Sequence, residues 1–388
     1  MRFLTFVTLL FLAGSCINTQ KVIDIPYSEN SSYCMQAKHT INIETPSCNY
    51  SRYHSVYVFE GRYLYGVNIK SPNVIDVCDL MHKNKNFSIT IDPSCITDRI
   101  SGLYVKSKDS IYFCQSSPNV VVLVDSIGRI KDCWKEKDIK IECSDDDLLA
   151  KYPYTFTTFL GQCTPQVIAN VMLIPLDPSG MYNELKQVNR VGAYDLNKRV
   201  WLKFFSKQPN MKKGCSYPYD LEQPYIAKGN NCIIISYPMD HYIYIFDMDN
   251  YKEKAKIPCY SQYANDIPSP MRNEQINSCQ LNWNFRVQTP FYGPLYYHKE
   301  IDMYTRIFYH SQPLVQDGKI NDGENRTSSI VIMDNNFNIV GETIFENGQI
   351  GVYSSLALPD GLLVSPQMNV DTLKVLNYSN KIQIFKCN

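Results

Sequence analysis

The stretch Cys232–Ile257, CIIISYPMDHYIYIFDMDNYKEKAKI, divides into three short strands separated by turn residues. Residues 233–236 are apolar and β-branched, and Tyr237-Pro238-Met239-Asp240 turns the chain. A second strand follows at 242–246, then the turn Asp247-Met248-Asp249-Asn250, then a third strand at 251–257 with outward lysines. Short β-rich runs bounded by Pro, Asp and Asn clusters predict consecutive antiparallel strands.

One joint of this unit returns along the chain: an apolar strand ending in Asp, a short turn, then another apolar strand. It reads VVLVDSIGRI at 121–130, VGAYDLNKRV at 191–200, IYIFDMDNYK at 243–252 and IVIMDNNFNI at 330–339, with VIDVCDLMHK at 74–83 a looser copy. Asp suits the joint because its carboxylate accepts backbone N–H bonds in a turn, which assigns these aspartates to structure rather than catalysis. Copies of a three- or four-stranded meander at this spacing predict an all-β chain folded as a β-propeller. Six blades take roughly 60 residues each, longer than a compact blade of about 40–45, and seven remain possible. The excess falls in loop-like stretches at 135–160, 175–190, 206–224, 258–290 and 311–328. The strand reading also gives 38–44, 63–68, 74–79, 167–174 as one strand, and a last blade ending in 381–387.

The chain has 388 residues, 44% of them hydrophobic, which is ample for a core. Lys+Arg and Asp+Glu are 38 each, so no basic footprint points to nucleic acid. Arg2 followed by the apolar run 3–13 reads as a signal peptide over residues 1–15. The end Leu12-Ala13-Gly14-Ser15-Cys16 resembles a bacterial lipoprotein signal, with Cys16 the lipidated residue and Ala13 in place of the usual Leu. Residues 16–37 then form the anchor linker and 38–388 the propeller domain. No later apolar run reaches the roughly 18 residues of a membrane span.

Fourteen cysteines leave thirteen after Cys16. In an exported chain this predicts some disulfides, with Cys133/Cys143 and Cys215/Cys232 the pairs to examine. The competing reading makes Cys78, Cys114 and Cys232, inside strand patterns, small buried apolar residues.

The stretches 63–79 (YLYGVNIKSPNVIDVCD), 103–125 (LYVKSKDSIYFCQSSPNVVVLVD), 152–158 (YPYTFTT), 233–247 (IIISYPMDHYIYIFD) and 330–343 (IVIMDNNFNIVGET) resemble a Bacteroidetes family of exported lipoproteins, domain-of-unknown-function family 4221. The resemblance runs from about residue 23 to 387. It implies a six-bladed, TolB-like propeller in the cell envelope and carries over no catalytic residue and no cofactor.

Candidate chemistry sits in three places. Asp240-His241, in a turn of one unit, could bind a metal or shuttle a proton; a hydrogen-bonded turn histidine is the structural alternative. Tyr152 and Tyr154, in an aromatic connection, could stack on sugar rings or pack a loop. Tyr297, His298 and Arg306 could face the central channel or serve strand pairing. No G-x-S-x-G, P-loop, H-E-x-x-H or metal-ligand spacing is present. The residues therefore predict a binding or scaffold module tethered to the membrane through its lipid, with a glycan, peptide or envelope protein as partner. The alternative is a propeller hydrolase or lyase with a site at the central channel.

Overall fold

The computed structural model describes residues 33–42, 53–68, 70–82, 85–96, 100–116, 119–135, 140–141, 155–156, 165–177, 189–212, 214–323, 325–346, 348–352, 355–364 and 372–380. Their strands form six small antiparallel sheets in a ring, a six-bladed propeller. Blade one is Tyr53–Phe59, Tyr63–Asn68, Val74–Asp79 and Phe87–Thr90, from the axis outward. Blade two is Ile100–Ser107, Ser110–Ser116, Asn119–Val124 and Ile130–Lys135. Blade three is Gln166–Ile168, Val171–Asp177, Asn189–Asp195 and Val200–Lys207, extended by the short pieces Lys140–Ile141 and Thr155–Phe156. Blade four is Tyr225–Lys228, Ile233–Ser236, Tyr242–Phe246 and Glu253–Pro258. Blade five is Phe291–His298, Met303–Tyr309, Ser328–Met333 and Ile339–Phe345. Blade six takes Ser355–Leu358, Gly361–Val364 and Thr372–Asn380 from the end of the chain and Tyr33–Asn42 from its beginning. The innermost strands touch in cyclic order, the sixth returning to the first.

Six apolar clusters fill the six seams between neighbouring blades. Blade four shows why its strands read as unbroken apolar runs. Ile233 and Ile235 pack on Val191 and Phe205 of blade three, while Ile234, between them, packs with Leu295 and Val331 of blade five. A sheet buried on both faces needs apolar residues at every position, not at alternate ones.

The recurrent aspartate joins the third strand of a blade to the fourth. In all five copies one carboxylate oxygen accepts two backbone N–H bonds, at 2.8–3.2 Å: Asp79 from Met81 and His82, Asp125 from Ile127 and Arg129, Asp195 from Asn197 and Lys198, Asp247 from Asp249 and Asn250, Asp334 from Asn336 and Asn338. Blade six has no copy because its third and fourth strands come from opposite ends of the chain.

Several expectations change. The first strand is Tyr33–Asn42 rather than 38–44, so it begins inside the stretch read as linker. It, and not 381–387, completes the last blade; residues 381–387 lie outside the described residues. The run 167–174 is a hairpin, broken where Ala169 takes a positive φ of 52°. The opening stretch has a fourth, innermost partner, Tyr225–Lys228. Residues 258–290, read as loop, hold the helix Cys279–Gln288, whose N-terminus Ser278 caps through its side chain. Cys215 and Cys232 are both free thiols, so that disulfide is absent. Cys215 lies in a two-residue strand bonded to Met271–Arg272, away from the start of blade four's second strand where Cys232 sits. Cys143 lies outside the described residues, as do Cys16 and residues 1–32. Cys78 and Cys114 are buried in strands, where burial pushes each thiol up to about 12.

The strand Tyr33–Asn42 passes directly over Gly341 in blade five: a Cβ there would stand 2.2 Å from the Tyr33 carbonyl oxygen. Met35 N–H also donates to Thr343 Oγ1 at 2.8 Å. Gly341→Ala is expected to destabilise the protein by about 1–3 kcal/mol through overpacking, measured by urea unfolding. A small gain, as a relaxed Gly→Ala site gives, would show that the strand does not bear on this position.

Candidate functional site

Alternation of strand direction sorts the connections. Turns between strands one and two, and between three and four, leave one end of every blade: 60–62, 108–109, 169–170, 229–232, 299–302 and 359–360, and 80–86, 125–129, 196–199, 247–252 and 334–338. This is the turn face. The second-to-third and blade-to-blade connections leave the other end, the connection face, and include 208–224, 259–290 and 310–327.

Asp240, His241 and Arg306 come together at the connection end of the seam between blades four and five. Arg306, on the second strand of blade five, is fully buried. Its Nη2 donates to the carbonyls of Asp240 (2.7 Å) and Tyr237 (3.0 Å), and its Nη1 to that of Cys259 (3.1 Å). The guanidinium lies 3.7 Å from the centroid of the Tyr292 ring. The Tyr292 hydroxyl accepts from Ser261 N–H at 3.2 Å and meets His241 Nδ1 at 2.8 Å. Burial, then the Arg306 charge, hold the His241 imidazole down to about 4, so it is neutral at pH 7 and shares a single uncharged hydrogen bond with the Tyr292 hydroxyl through Nδ1. The buried Asp240 carboxylate accepts from the Tyr244 hydroxyl; burial pushes it above the usual carboxylate range. The cluster thus clamps the turn after Ser236 onto blade five.

Tyr297 and His298 stand at the other end of blade five, next to the turn face. His298 is buried; its Nδ1 lies 2.9 Å from the Leu358 carbonyl oxygen and its Nε2 2.8 Å from Thr305 Oγ1. A carbonyl can only accept, so Nδ1 carries the proton and Nε2 accepts from threonine. This ties blade five to blade six. Tyr297 donates to Asp302 Oδ1 at 2.8 Å in the adjoining turn. Tyr152 and Tyr154 lie outside the described residues.

Two further polar clusters on the connection side were not anticipated. In the first, Arg190 at the start of a blade-three strand donates to Gln208 Oε1 (2.8 Å), Asp177 Oδ1 (3.3 Å) and Glu222 Oε2 (3.3 Å). Glu222 also accepts from Tyr217 N–H at 2.9 Å. Burial pushes the Glu222 carboxyl up to about 7, with the Arg190 charge opposing. In the second, Glu342 accepts from the Ser261 hydroxyl (2.6 Å), Gln262 N–H (2.9 Å) and the Ser329 hydroxyl. His310 Nε2 lies 3.1 Å from Ser329 Oγ. Serine, histidine and carboxylate are neighbours here, but the acid holds the serine proton and Ser329 is fully buried. That arrangement does not generate a nucleophile. The sequence signal for both clusters was a charge inside an otherwise apolar strand pattern.

Above these clusters the connection face carries an exposed apolar surface. Leu281 and Trp283 project from the helix Cys279–Gln288, Val315 and Ile320 form a cross-strand pair in the hairpin Val315–Gln316/Lys319–Ile320, and Tyr263 lies against the His310 ring. The same helix carries the amides of Gln280, Asn282 and Asn284, with Gln280 donating to Asn284 at 2.7 Å, and the hairpin carries that of Gln316. The support is rigid. Buried Arg326 donates to the carbonyls of Arg286, Val287, Thr289, His310 and Gly323, closing the helix C-terminus onto blade five. Arg286 pairs with Asp220 at 2.7 Å. Among the described residues no group of His, Cys, Asp and Glu could hold a metal, and no helix is long and apolar enough to cross a membrane.

The sequence model of a family described as Domain of unknown function (DUF4221) matches residues 32–344. A crystal structure of a member of that family from Bacteroides vulgatus is similar with a TM-score of 0.66 at 13% identity, covering 91% of this chain and 100% of that one. A protein from Bacteroides fragilis whose name calls it exported is similar with a TM-score of 0.53 at 10% identity, covering 92% of this chain and 98% of that one. At these identities the likeness shows the fold. No curated protein matches.

Two outcomes separate structure from function at these clusters. Arg306→Leu leaves three buried carbonyls without their donor and is expected to cost at least about 3 kcal/mol, read from urea unfolding; an unchanged midpoint would return Arg306 to the candidate ligand groups. Glu222 has its folded value above its ordinary 4.5, so the folded state keeps a proton the unfolded chain has released. Its contribution is whole below about 4.5 and is lost as pH rises through about 7. The wild-type melting temperature should therefore fall relative to that of Glu222→Gln between these values. Parallel curves would show that the carboxyl is ionised throughout.

Proposed function

This chain belongs to the DUF4221 family, and we propose that it is an exported, lipid-anchored binding module of the cell envelope whose partner docks on the connection face. The observation that carries this reading is the division of labour between buried and exposed groups. His241, His298 and Arg306, the residues a propeller hydrolase or lyase would use, hold blades together. The exposed Tyr263, Leu281, Trp283, Val315 and Ile320 gather on one face, on a support locked by Arg326.

Such a surface, aromatic and aliphatic with amide side chains and a few charges on the same elements, suits a glycan or a peptide. Sugar rings and peptide side chains stack on aromatic faces, and amides both donate and accept. The signal-like segment ending at Cys16, and the exported name of the Bacteroides fragilis neighbour, support the cellular address.

The tryptophans provide the measurement. Trp134 and Trp201 are buried, whereas Trp283 is 38% exposed, so quenching by acrylamide reports on Trp283. Titration with neutral oligosaccharides and with unstructured peptides is expected to protect it from quenching and raise the melting temperature. Trp283→Ala should abolish that rise. A rise that survives the substitution would move the partner to another face. The anchor is read separately, by labelling cells with a palmitate analogue: wild type should incorporate it and Cys16→Ala should not, and equal labelling would end the lipoprotein reading.

A further inference from the structure

The strand Tyr33–Asn42 pairs with Thr372–Asn380 so that Tyr33 stands opposite Asn380 and Asn42 opposite Thr372. Gly361, which follows the turn 359–360, pairs with Asn377 of the same strand. Tyr33 therefore lies at the turn face, and the chain enters the propeller there. Sixteen residues separate it from Cys16, a leash of at most roughly 55–60 Å. The leash leaves from the turn face, the end of the propeller the tether meets first, and a span that long does not fix the orientation.

The turn face carries a second observation. The side chain two residues after each turn aspartate points outward in all five copies and is exposed. Blades three, four and five have Asn197, Asp249 and Asn336 there. Blades one and two have Met81 and Ile127, which are 71% and 59% exposed. The turns differ in length and in their second N–H, but in all five the aspartate carboxylate caps the N–H of that residue. The turn therefore does not demand an apolar residue, and water disfavours one. Blade one adjoins blade six, where the leash enters, and its exposed Phe87 extends the apolar edge. Lys85, Lys108 and Arg129 stand exposed on the same two blades against exposed Glu60 and Asp109, while Asp79 and Asp125 turn their carboxylates onto backbone N–H groups.

From these placements we infer that the turn face of blades one and two rests on the lipid surface to which the chain is tethered, with Met81 and Ile127 entering the headgroup–acyl boundary. The inference rests on the anchored reading above. A tethered module that also touches its bilayer loses rotational freedom, and the connection face, at the opposite end of every blade, then points away from the membrane toward the partner. Apolar contact by the turn face adds to the lipid anchor and sets which face of the propeller lies against the bilayer.

The test uses the chain from Ile17 onward, which contains every strand of the closed ring and no signal segment. It is sedimented with vesicles of phosphatidylethanolamine and phosphatidylglycerol. The M81N/I127N variant places in blades one and two a residue that equivalent turns already carry, so the fold is retained; its melting temperature checks this. Wild type is expected to co-sediment, and the variant to bind roughly tenfold less. Trp283→Ala, on the opposite face, should bind as wild type does. Absence of wild-type binding, equal binding by M81N/I127N, or a loss caused by Trp283→Ala would each overturn the inference. The assay contains no anchor, so its failure is distinguishable from failure of the Cys16 labelling experiment.

Discussion

The structure depends on one pairing, that of Tyr33–Asn42 with Thr372–Asn380. A propeller blade has two apolar faces and can bury neither alone; each seam is filled by side chains from two blades. Without the N-terminal strand, blade six ends at Thr372–Asn380 and exposes an unpaired edge. The seam holding Met35, Ile307 and Leu376 then loses its outer wall. Closing a ring across nearly the whole chain costs loop entropy, which grows only slowly with length. The ladder from Tyr33↔Asn380 to Asn42↔Thr372, interrupted once by a bulge between Ala37 and His39, offsets that cost with paired backbone. The tight passage over Gly341 belongs to the same device, because the closing strand must lie flush against blade five.

Ring closure also explains where the charges are. At the turn face the connections are short, and in five of the six blades a single aspartate caps two backbone N–H groups of the turn. At the connection face the chain leaves the sheets for long excursions, and carbonyls at strand ends lose their ladder partners inside a dry seam. Arginines answer this because one guanidinium offers several donors in a fixed fork. Arg306 reaches the carbonyls of Tyr237, Asp240 and Cys259, and Arg326 those of Arg286, Val287 and Thr289. Buried polar groups of this kind are held by the cost of leaving their partners unpaired.

Much of the fold was legible because its signal is local. The Asp joint requires one residue type for one hydrogen-bonding reason, and the strands at 63–68, 74–79, 233–236 and 242–246 were read with the bounds they have. The innermost strand Tyr225–Lys228 was missed because it is short, and the N-terminal strand, read as 38–44, lost its start and its partner because that partner lies more than three hundred residues away. The helix Cys279–Gln288 hid because it is exposed or half-buried nearly all round, with only Val287 buried and Leu281 and Trp283 on different sides, so no apolar stripe of helical period forms. At the candidate site the sequence brought forward Asp240, His241 and Arg306, and the structure joins them. Their purpose was not legible, since a histidine in a turn looks the same whether it awaits a ligand or a tyrosine hydroxyl. The pair Tyr297 and His298 misled for a related reason: strand position predicts which face a residue occupies, not which end of the blade.

Positions whose side chains the fold does not use are the ones free to carry function. In the Asp turn the carboxylate and two backbone N–H groups do the structural work, and the side chain two residues on does none. Its identity varies from Asn to Asp, Met and Ile while the bond from its N–H to the aspartate is kept. The same holds for Val315 and Ile320, whose hairpin turns on Asp317 and Gly318 at positive φ and needs nothing of its apolar pair. Titratable residues drew attention first because chemistry usually resides in them, yet in this ring they are the fastenings. An exposed methionine on a turn that accepts asparagine elsewhere has no such duty, and its apolar character calls for an explanation outside the fold.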